Sequence, residues 1–382
     1  MDLFVTCAKG LEPLLAEELE SLGYSSSPGF RGVNLKDVSM DAIYRINYQS
    51  RIATRVLLHL HHFQCYDSKS LYNAALKIDW QSYVPMGKTI AIDSNVSHPK
   101  LRNSLFAAQV LKDAICDQLK EKMGERPNVN IKNPDIQLNL YIYENRGVIS
   151  FDTSGDSLGK RGYRHESVEA PMQENLAAAL LTIARYRGTD ILCDPCCGSG
   201  TLLIEAALIA SKTAPGYLRT KWGFQSLPEY DEAKWLDVKN QIDAMRVDLP
   251  KNCIFGSDIN KQAVHAATVN LRSSGFHRSI DIIQSDVSEL NPKVPPTLVI
   301  TNPPYGVRLE GIDHLCHLYR EIGHFMKRKM ATEPKPTKGF VLTGSPLLAK
   351  EVGLHVSKRH IIFNGGIEAR LLEFDIYKCS ED

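Results

Sequence analysis

The sequence predicts an α/β protein in which a parallel sheet, covered by helices on both faces and closed by an antiparallel edge, follows an α+β module. Three observations carry this. From about residue 170, apolar runs of strand length alternate with stretches of helical periodicity, the pattern of βαβ units. The last two strand-like runs flank Asn364-Gly365-Gly366, a hairpin signal. Before residue 160 strands and helices follow no such alternation, and the Gly-, Ser- and charge-rich stretch 152–164 separates the two parts. At 382 residues, two domains and a small third are expected.

In chain order, the first segment reads as a strand at Leu3 to Thr6, then an amphipathic helix with Leu11, Leu14, Leu15, Leu19 and Leu22 on one face, closed by Gly23. Strands follow at Arg55 to His62, Thr89 to Asp93, Ile136 to Tyr143 and Val148 to Phe151, with a helix from about Asn103 to Met123. Beyond a boundary near 160 come a helix from about Met172 to Tyr186, strand Ile191 to Asp194, helix Thr201 to Ala210, strand Ile254 to Asp258 and helix Lys261 to Ser274. Strands Ile280 to Ser285 and Thr297 to Thr301, a helix from about Asp313 to Met330 and strand Gly339 to Thr343 continue the alternation. Val356 to Phe363 and Ala369 to Tyr377 form the terminal hairpin. The 43 residues from Ser211 to Cys253 exceed what a crossover needs, which predicts an inserted helical excursion near the ligand edge.

Composition excludes several classes. Hydrophobic residues make up 43% and charged residues 23%, so the chain has the means to bury a core and is not a disordered segment. Its longest apolar runs, such as Leu176 to Leu181 and Ala206 to Ala210, are far shorter than a membrane span. The first residues carry no basic n-region or cleavage site, so a cytoplasmic location without membrane association is expected. The nine scattered cysteines then read as reduced thiols. Net charge is +1, and through residue 165 there are 20 Lys and Arg against 18 Asp and Glu, so charge argues neither for nor against nucleic acid. Oligomeric state is not legible.

The chemistry is carried by three strand ends. Cys193-Asp194-Pro195-Cys196-Cys197-Gly198-Ser199-Gly200-Thr201 lies where an apolar strand stops and a helix begins; glycines let a ligand approach the backbone, and a helix N-terminus offers N–H donors. Leu203 stands where a dinucleotide fingerprint needs its third Gly, and the Gly-Lys-Ser/Thr of a phosphate loop is absent, which disfavours NAD and ATP. Asp258 and Asp286 end the next two strands, suited to a ribose diol and an exocyclic amine, unless they merely cap the following helices. Asn302-Pro303-Pro304-Tyr305 follows the fourth strand. Its two prolines freeze the turn, so an Asn amide, a backbone carbonyl and an aromatic ring are held in fixed relation: a reader of a planar amino group, in which Tyr305 stacks on a base.

The runs Asp194-Pro-Cys-Cys-Gly-Ser-Gly-Thr, Gly256-Ser-Asp-Ile and Asn302-Pro-Pro-Tyr-Gly-Val-Arg-Leu resemble the S-adenosylmethionine-dependent amino-methyltransferases. More narrowly, Leu158-Gly-Lys-Arg-Gly-Tyr-Arg, Ala170-Pro-Met-Gln-Glu-Asn-Leu-Ala-Ala-Ala and Lys221-Trp-Gly-Phe resemble the ribosomal large subunit methyltransferase L family over nearly the whole chain. The resemblance implies a Rossmann-like class I methyltransferase domain at 161–382, behind a ferredoxin-like subdomain at 1–55 and a THUMP RNA-binding domain at 56–160. It implies N2-methylation of a guanine in 23S ribosomal RNA, with S-adenosylmethionine as cofactor, and a single activity where some relatives carry a second methyltransferase domain. Carried over by motif, Asp194 and the backbone of Cys197, Gly198, Ser199 and Gly200 would hold the methionine moiety, Asp258 the ribose, and Asp286 with the Val287 amide the adenine. Asn175 would border the cofactor carboxylate, and Asn302, Pro303, Pro304 and Tyr305 would form the catalytic turn. Ile259-Asn260 stands where many relatives have a second acidic residue beside the ribose-binding one.

Other signals have plainer readings. Cys193-x-x-Cys196 has metal or redox spacing but lies inside the Gly loop with no partner pair downstream, and no metal is expected. His59 and His61 share a strand face, with no carboxylate or Cys placed to complete a site. Lys327-Arg328-Lys329 ends a helix, where a solvated terminus competes with RNA contact. Lys160, Arg161 and Arg164, with Tyr163 among them, suit phosphate and stacking contacts to RNA at the domain junction. An adenine-N6 methyltransferase on DNA or RNA, a protein glutamine methyltransferase, a non-catalytic ribosome-assembly factor and an NAD-dependent oxidoreductase are the competing readings. The α+β front half disfavours the first two, the intact Asn302 and Tyr305 the third, and Leu203 the last.

Overall fold

The structure, a computed structural model, describes residues 1–101, 103–168, 171–305, 312–330, 337–364 and 366–377. Ala170, Gly306–Leu309 and Gly365 of the motifs above lie outside the described residues. In chain order the front elements are β1 (Leu3–Thr6), α1 (Glu12–Ser21), β2 (Ser27–Gly29), β3 (Gly32–Leu35), α2 (Met40–Gln49), β4 (Arg55–Gln64), α3 (Ser68–Ala75), α4 (Trp80–Tyr83), β5 (Thr89–Ser97), α5 (Ser104–Met123), β6 (Asn128–Val129), β7 (Ile136–Tyr143) and β8 (Arg146–Asp152). Then come α6 (Glu174–Ile183), β9 (Leu192–Asp194), α7 (Thr201–Ala210), α8 (Glu232–Asp243), β10 (Ile254–Asp258), α9 (Lys261–Ser273), β11 (Asp281–Gln284), β12 (Leu298–Thr301), α10 (Ile312–Lys329), β13 (Thr337–Thr343), α11 (Pro346–Glu351), β14 (Val356–Asn364) and β15 (Ile367–Ile376).

The chain divides into two compact units. The first comprises Met1–Cys7, Leu15–Leu158 and Arg219–Gln241; the second, Ala8–Leu14, Gly159–Leu218 and Ile242–Asp382.

The first unit is built on an eight-stranded sheet in the order β2-β3-β1-β4-β8-β7-β5-β6, antiparallel except where β5 meets β6 and β7. Strand β7 shows why: Ile136, Leu138, Leu140 and Ile142 alternate inward while Tyr141 and Tyr143 face out. Helix α5 starts where Asn103 accepts from the Leu105 amide and stops at Gly124, whose φ of 83° is a left-handed cap. Helices α2, α3 and α4 escaped the sequence pattern. In α2 a helical period is present, with Asp41, Arg45 and Gln49 on one face and Ala42, Ile43, Tyr44, Ile46, Asn47 and Tyr48 buried, but it lasts only ten residues between two strands.

The segment Arg219–Gln241, which carries most of α8, belongs to this unit. Its aromatic residues join those of α2: the Trp235 ring lies 5.0 Å from Phe224, 5.4 Å from Tyr48 and 5.8 Å from Tyr44. Trp222 stacks on Phe224 at 5.6 Å, and the Tyr44 hydroxyl accepts from the Asp231 amide at 2.9 Å. The Arg219 guanidinium lies over Trp222 and donates to the carbonyls of Ser154 and Ser157.

The second unit has the predicted α/β architecture. Its seven-stranded sheet runs β11-β10-β9-β12-β13-β15-β14, parallel except for β15, which is antiparallel to both β13 and β14. Strand β9 pairs β10 on one side and β12 on the other, so the order reverses there, and the carboxyl ends of these strands are where open α/β sheets bind their ligands. Core residues Val299, Val341 and Phe374 of the sheet pack with Tyr319, Phe325 and Met326 of α10.

Candidate active site

The Gly loop starts where β9 ends. At Gly200 φ is +81°, and a Cβ built there would lie 3.2 Å from that of Ala267, so this position takes glycine. The loop is strapped to β10: the Cys197 amide donates to the Ser257 carbonyl and the Gly198 amide to Asp258 Oδ2, both at 2.9 Å. The Gly200 amide turns back to the Cys197 carbonyl at 2.8 Å. All three amides are already bonded, two to β10 and one within the loop, so Cys197, Gly198 and Gly200 present its shape rather than donors.

Three acidic residues stand at or just past the ends of β9, β10 and β11, with different partners. Asp194 is 2% exposed, and its Oδ1 accepts from Thr301 Oγ1 at 2.6 Å and from the Cys196 amide at 3.1 Å. Burial, with Asp258 adding repulsion, pushes its carboxyl up to about 7 against those two neutral donors. Asp258 accepts from the amides of Gly198 and Asn260, while Asn260 itself caps α9 through the Gln262 amide, so the cap is Asn260 rather than Asp258. Asp286 Oδ1 accepts from the amide and hydroxyl of Ser288, which hold its carboxyl below the ordinary range. Val287 beside it is buried. Asn175 lies in the first turn of α6, 2% exposed, where its Oδ1 accepts from the Leu176 amide. Burial, then Asp194, raises the Cys193, Cys196 and Cys197 thiols well above their usual value, so they are neutral.

The turn Asn302–Tyr305 leaves β12 one residue beyond Thr301, so the Thr301–Asp194 bond joins it to β9. Pro303 is buried and Pro304 exposed. Asn302 Oδ1 is enclosed and has no hydrogen-bond partner among the described residues, an acceptor whose desolvation none of them offsets. The Tyr305 ring is half-buried, and its hydroxyl accepts from Asn364 Nδ2 at 2.9 Å.

The basic residues of the junction are arranged differently from the RNA-contacting set expected. Arg161 is 1% exposed and faces Glu205, and Tyr163, equally buried, donates to the same carboxylate at 3.0 Å. Arg164 pairs with Glu174 at 2.9 Å and donates to Ser199 Oγ, Thr201 Oγ1 and the Met172 carbonyl. Burial turns Arg161 and Tyr163 into a structural pair, and Arg164 into a brace between the Gly loop and the start of α6. Lys160 alone of the three is exposed. Lys327 donates to the Gly353 carbonyl, Lys329 to Asn291, and Arg328 pairs with Glu321, so the end of α10 is bound to its surroundings. A bulge between His59 and His61 breaks the shared face expected of them and brings His59 to 3.1 Å from His62.

Sequence reasoning missed four residues that shape the site. In the sequence Thr301 stands only as the end of an apolar strand. Asn270 on α9 is 1% exposed, donating to the Ser199 and Glu166 carbonyls and accepting from the His165 and Glu166 amides. Glu174 and Asn364 become visible only through their partners Arg164 and Tyr305.

Comparison with known proteins agrees with this construction. The RMKL-like methyltransferase domain family matches residues 161–372, the THUMP domain 65–152, and the RlmL ferredoxin-like domain 2–57. Ribosomal RNA large subunit methyltransferase K/L of Syntrophotalea carbinolica is 38% identical across 98% of this chain and 53% of its own length, so the chain spans about half of that relative. The RNA methyltransferase candidate slr0064 of Synechocystis sp. is 34% identical, with 98% of this chain and 96% of that protein covered. A solved methyltransferase candidate complexed with SAH superposes at TM-score 0.85 with 28% identity, covering 100% of this chain and 99% of that one. A structure described as a sequence-assigned N6-adenine-specific DNA methylase from Listeria monocytogenes gives 0.86 and 28%, covering 99% and 96%. With its Gly loop, acidic strand ends and Asn-Pro-Pro-Tyr turn on one sheet edge, and half of its length matched, the chain belongs to the RMKL-like methyltransferase domain family, here with RlmL ferredoxin-like and THUMP domains ahead of it.

Proposed function

We propose that the chain transfers the methyl group of S-adenosylmethionine to the exocyclic N2 of a guanine in large-subunit ribosomal RNA. The observation that carries this is Asn302 Oδ1, an enclosed acceptor with no donor among the described residues, one residue from the Thr301 bond to the cofactor loop. The residues fit the cofactor. Asp194 is a buried carboxyl whose donors among the described residues are neutral, which a cationic ligand would relieve; Asp258 has the acceptor lone pairs for a diol; Asp286 and Val287 stand at the next strand end. When bound, S-adenosylmethionine supplies an electrophilic methyl on a sulfonium.

The chain's own residues then act on the methyl acceptor. Asn302 Oδ1 accepts one amine hydrogen and the Pro303 carbonyl the other, turning the nitrogen lone pair away from conjugation with the ring; Tyr305 stacks on the base once it has left its helix. As the nitrogen–carbon bond forms, the nitrogen becomes cationic and loses its proton to water, so no strong base is required. Alignment and electrostatic stabilisation supply the rate. The ferredoxin-like and THUMP regions, read as 1–55 and 56–160, are assigned recognition of structured RNA.

An adenine-N6 methyltransferase uses the same turn, and the likeness to the Listeria structure, described as an adenine-specific DNA methylase, favours that reading. The THUMP match and the K/L relatives favour ribosomal RNA. Mass spectrometry of nucleosides from ribosomal RNA of cells with and without the gene decides: loss of N2-methylguanosine supports the proposal, and loss of N6-methyladenosine alone replaces it.

A further inference from the structure

The Tyr305 ring is fixed by two contacts from outside its own turn. Asn364, the last residue of β14, donates from Nδ2 to its hydroxyl at 2.9 Å. Gly344, just past β13, lies against the ring edge: a Cβ built there would fall 3.0 Å from Tyr305 Cδ2 and 3.1 Å from Cε2, closer than nearly all real contacts. The inner edge of the ring rests on the core formed by α10 and the sheet. A tyrosine at the end of a rigid turn retains rotation about its side-chain bonds unless contacts from elsewhere restrict it. Here hydroxyl and edge are both held, which defines the ring plane.

We propose that Asn364 and Gly344 are positioning residues, and that the antiparallel hairpin β14–β15 and the β13 end set the plane on which the methyl-accepting base stacks. The inference rests on the role assigned to Tyr305 above. Asn364 acts through the Tyr305 hydroxyl and touches neither base nor cofactor. Stacking tolerates only offset, near-parallel rings, so a ring free to tilt presents the base nitrogen to the methyl carbon in fewer productive poses. The arrangement also gives the antiparallel edge a role beyond closing the sheet.

The test has two arms. In full-length protein labelled with tyrosine carrying 13C at Cζ, the Tyr305 line is identified by its absence in Tyr305→Phe. Asn364→Ala should shift that line, and Asn364→Asp, which can accept from the hydroxyl, should keep a hydrogen-bonded shift. An unmoved line in Asn364→Ala overturns the proposal whether or not the enzyme acts on RNA. In the second arm, methyl transfer to ribosomal RNA from cells lacking the gene is measured at saturating S-adenosylmethionine. Asn364→Ala and Tyr305→Phe should each lower kcat/KM for RNA about fivefold, leaving cofactor affinity intact, and the double variant should be no worse than either single one. Additive losses overturn the positioning role. No transfer by the wild-type protein overturns the proposed function alone, and the spectroscopic arm then decides the role of Asn364. Gly344→Ala should lower kcat/KM further, since the ring must move to admit the methyl.

Discussion

Thr301 Oγ1 donates to Asp194 Oδ1 at 2.6 Å, a bond between the ends of β12 and β9 where the sheet order turns. Both residues are buried, so the bond is short of competing water. It fixes the carboxyl at the mouth of the Gly loop and, one residue on, the start of the Asn302 turn. Thr301→Val should therefore disturb two functions together, raising the carboxyl of Asp194 further and loosening the turn.

Cofactor affinity should rise with pH. Asp194 titrates at about 7 in the folded protein, whereas an unfolded aspartate titrates at about 3.9. The folded state therefore holds a proton that the unfolded chain has released between those values. The contribution to stability of the unliganded protein is complete below the lower value and is lost as pH rises through the higher one. Binding a cation runs the other way, because it needs the carboxylate. From about pH 6 to 8 affinity for S-adenosylmethionine should increase about tenfold, with a proton released on binding at the acid end. Calorimetry in buffers of different ionisation enthalpy measures both quantities. Asp194→Asn should bind weakly with a flat profile, and a flat profile in the wild type would remove Asp194 as the cation's partner.

Asp258→Ala should weaken cofactor binding by about 1.5 to 3 kcal/mol, a charge-assisted hydrogen bond to a ribose hydroxyl. The Gly198 amide would lose its acceptor as well. Asn260→Ala is the control: it removes the cap of α9, costing about 1 kcal/mol of stability, while affinity stays. Calorimetry and thermal melts of the two proteins separate the roles, and equal affinities for the wild type and Asp258→Ala would overturn the assignment.

Arg164 provides the sharpest contrast with its sequence reading. Its side chain is 18% exposed and its partner Glu174 11%, so Arg164→Met strands a nearly buried carboxylate and releases the loop at Ser199 and Thr201. A loss of about 3 kcal/mol in stability and a clear drop in cofactor affinity are expected. The salt dependence of RNA binding should not change, since a phosphate contact would contribute a slope of about −0.9 for each charge on duplex. Titrations of RNA at several salt concentrations check this.

Much of the rear unit was legible because its signals are local. Strand, Gly loop and helix from 191 to 210 follow one another in sequence, and Asp258, Asp286 and Asn302 each stand directly after an apolar run. What a side chain faces across the fold was not legible. A Lys-Arg-Gly-Tyr-Arg run reads as a basic surface because composition carries no burial, and only Glu205 and Glu174, 44 and 10 residues from their arginine partners, turn it inward. Asn364 and Tyr305 are 59 residues apart, and Tyr44 and Asp231 are 187 apart. Segment 219–241 could not be assigned to the front unit because its aromatic residues acquire partners only there.

That segment makes a prediction about dissection. Residues 1–158 alone should fold poorly, because Tyr44 and Tyr48 lose the cover of Trp222, Phe224 and Trp235. In the full chain Trp235→Ala, at 5% exposure, should cost about 3 to 5 kcal/mol in the first unit. Denaturant unfolding followed by circular dichroism compares 1–158 with the same fragment carrying 219–243 on a linker. Equal stability of the two fragments would contradict the structural role of the segment.

The turn itself supplies the last prediction. Asn302 Oδ1 is enclosed with no donor among the described residues, the condition of an acceptor that takes its hydrogen from a substrate. Asn302→Ala should leave the fold and cofactor affinity close to those of the wild type. Methyl transfer should fall by about 100-fold or more, the range seen when a preorganised polar group at a reacting centre is deleted. Tyr305→Ala should act mainly through RNA, weakening productive engagement by about 1 to 3 kcal/mol if stacking is its role. Single-turnover assays at saturating cofactor, with methylated nucleosides quantified, distinguish the two: Asn302→Ala lowers the rate of the bound complex, whereas Tyr305→Ala shifts the RNA concentration at which that rate is reached. A folded Asn302→Ala protein that transfers at nearly the wild-type rate, or a product methylated on a ring nitrogen, would refute the proposed mechanism, because neither is compatible with a turn built to hold two hydrogens of an exocyclic amine.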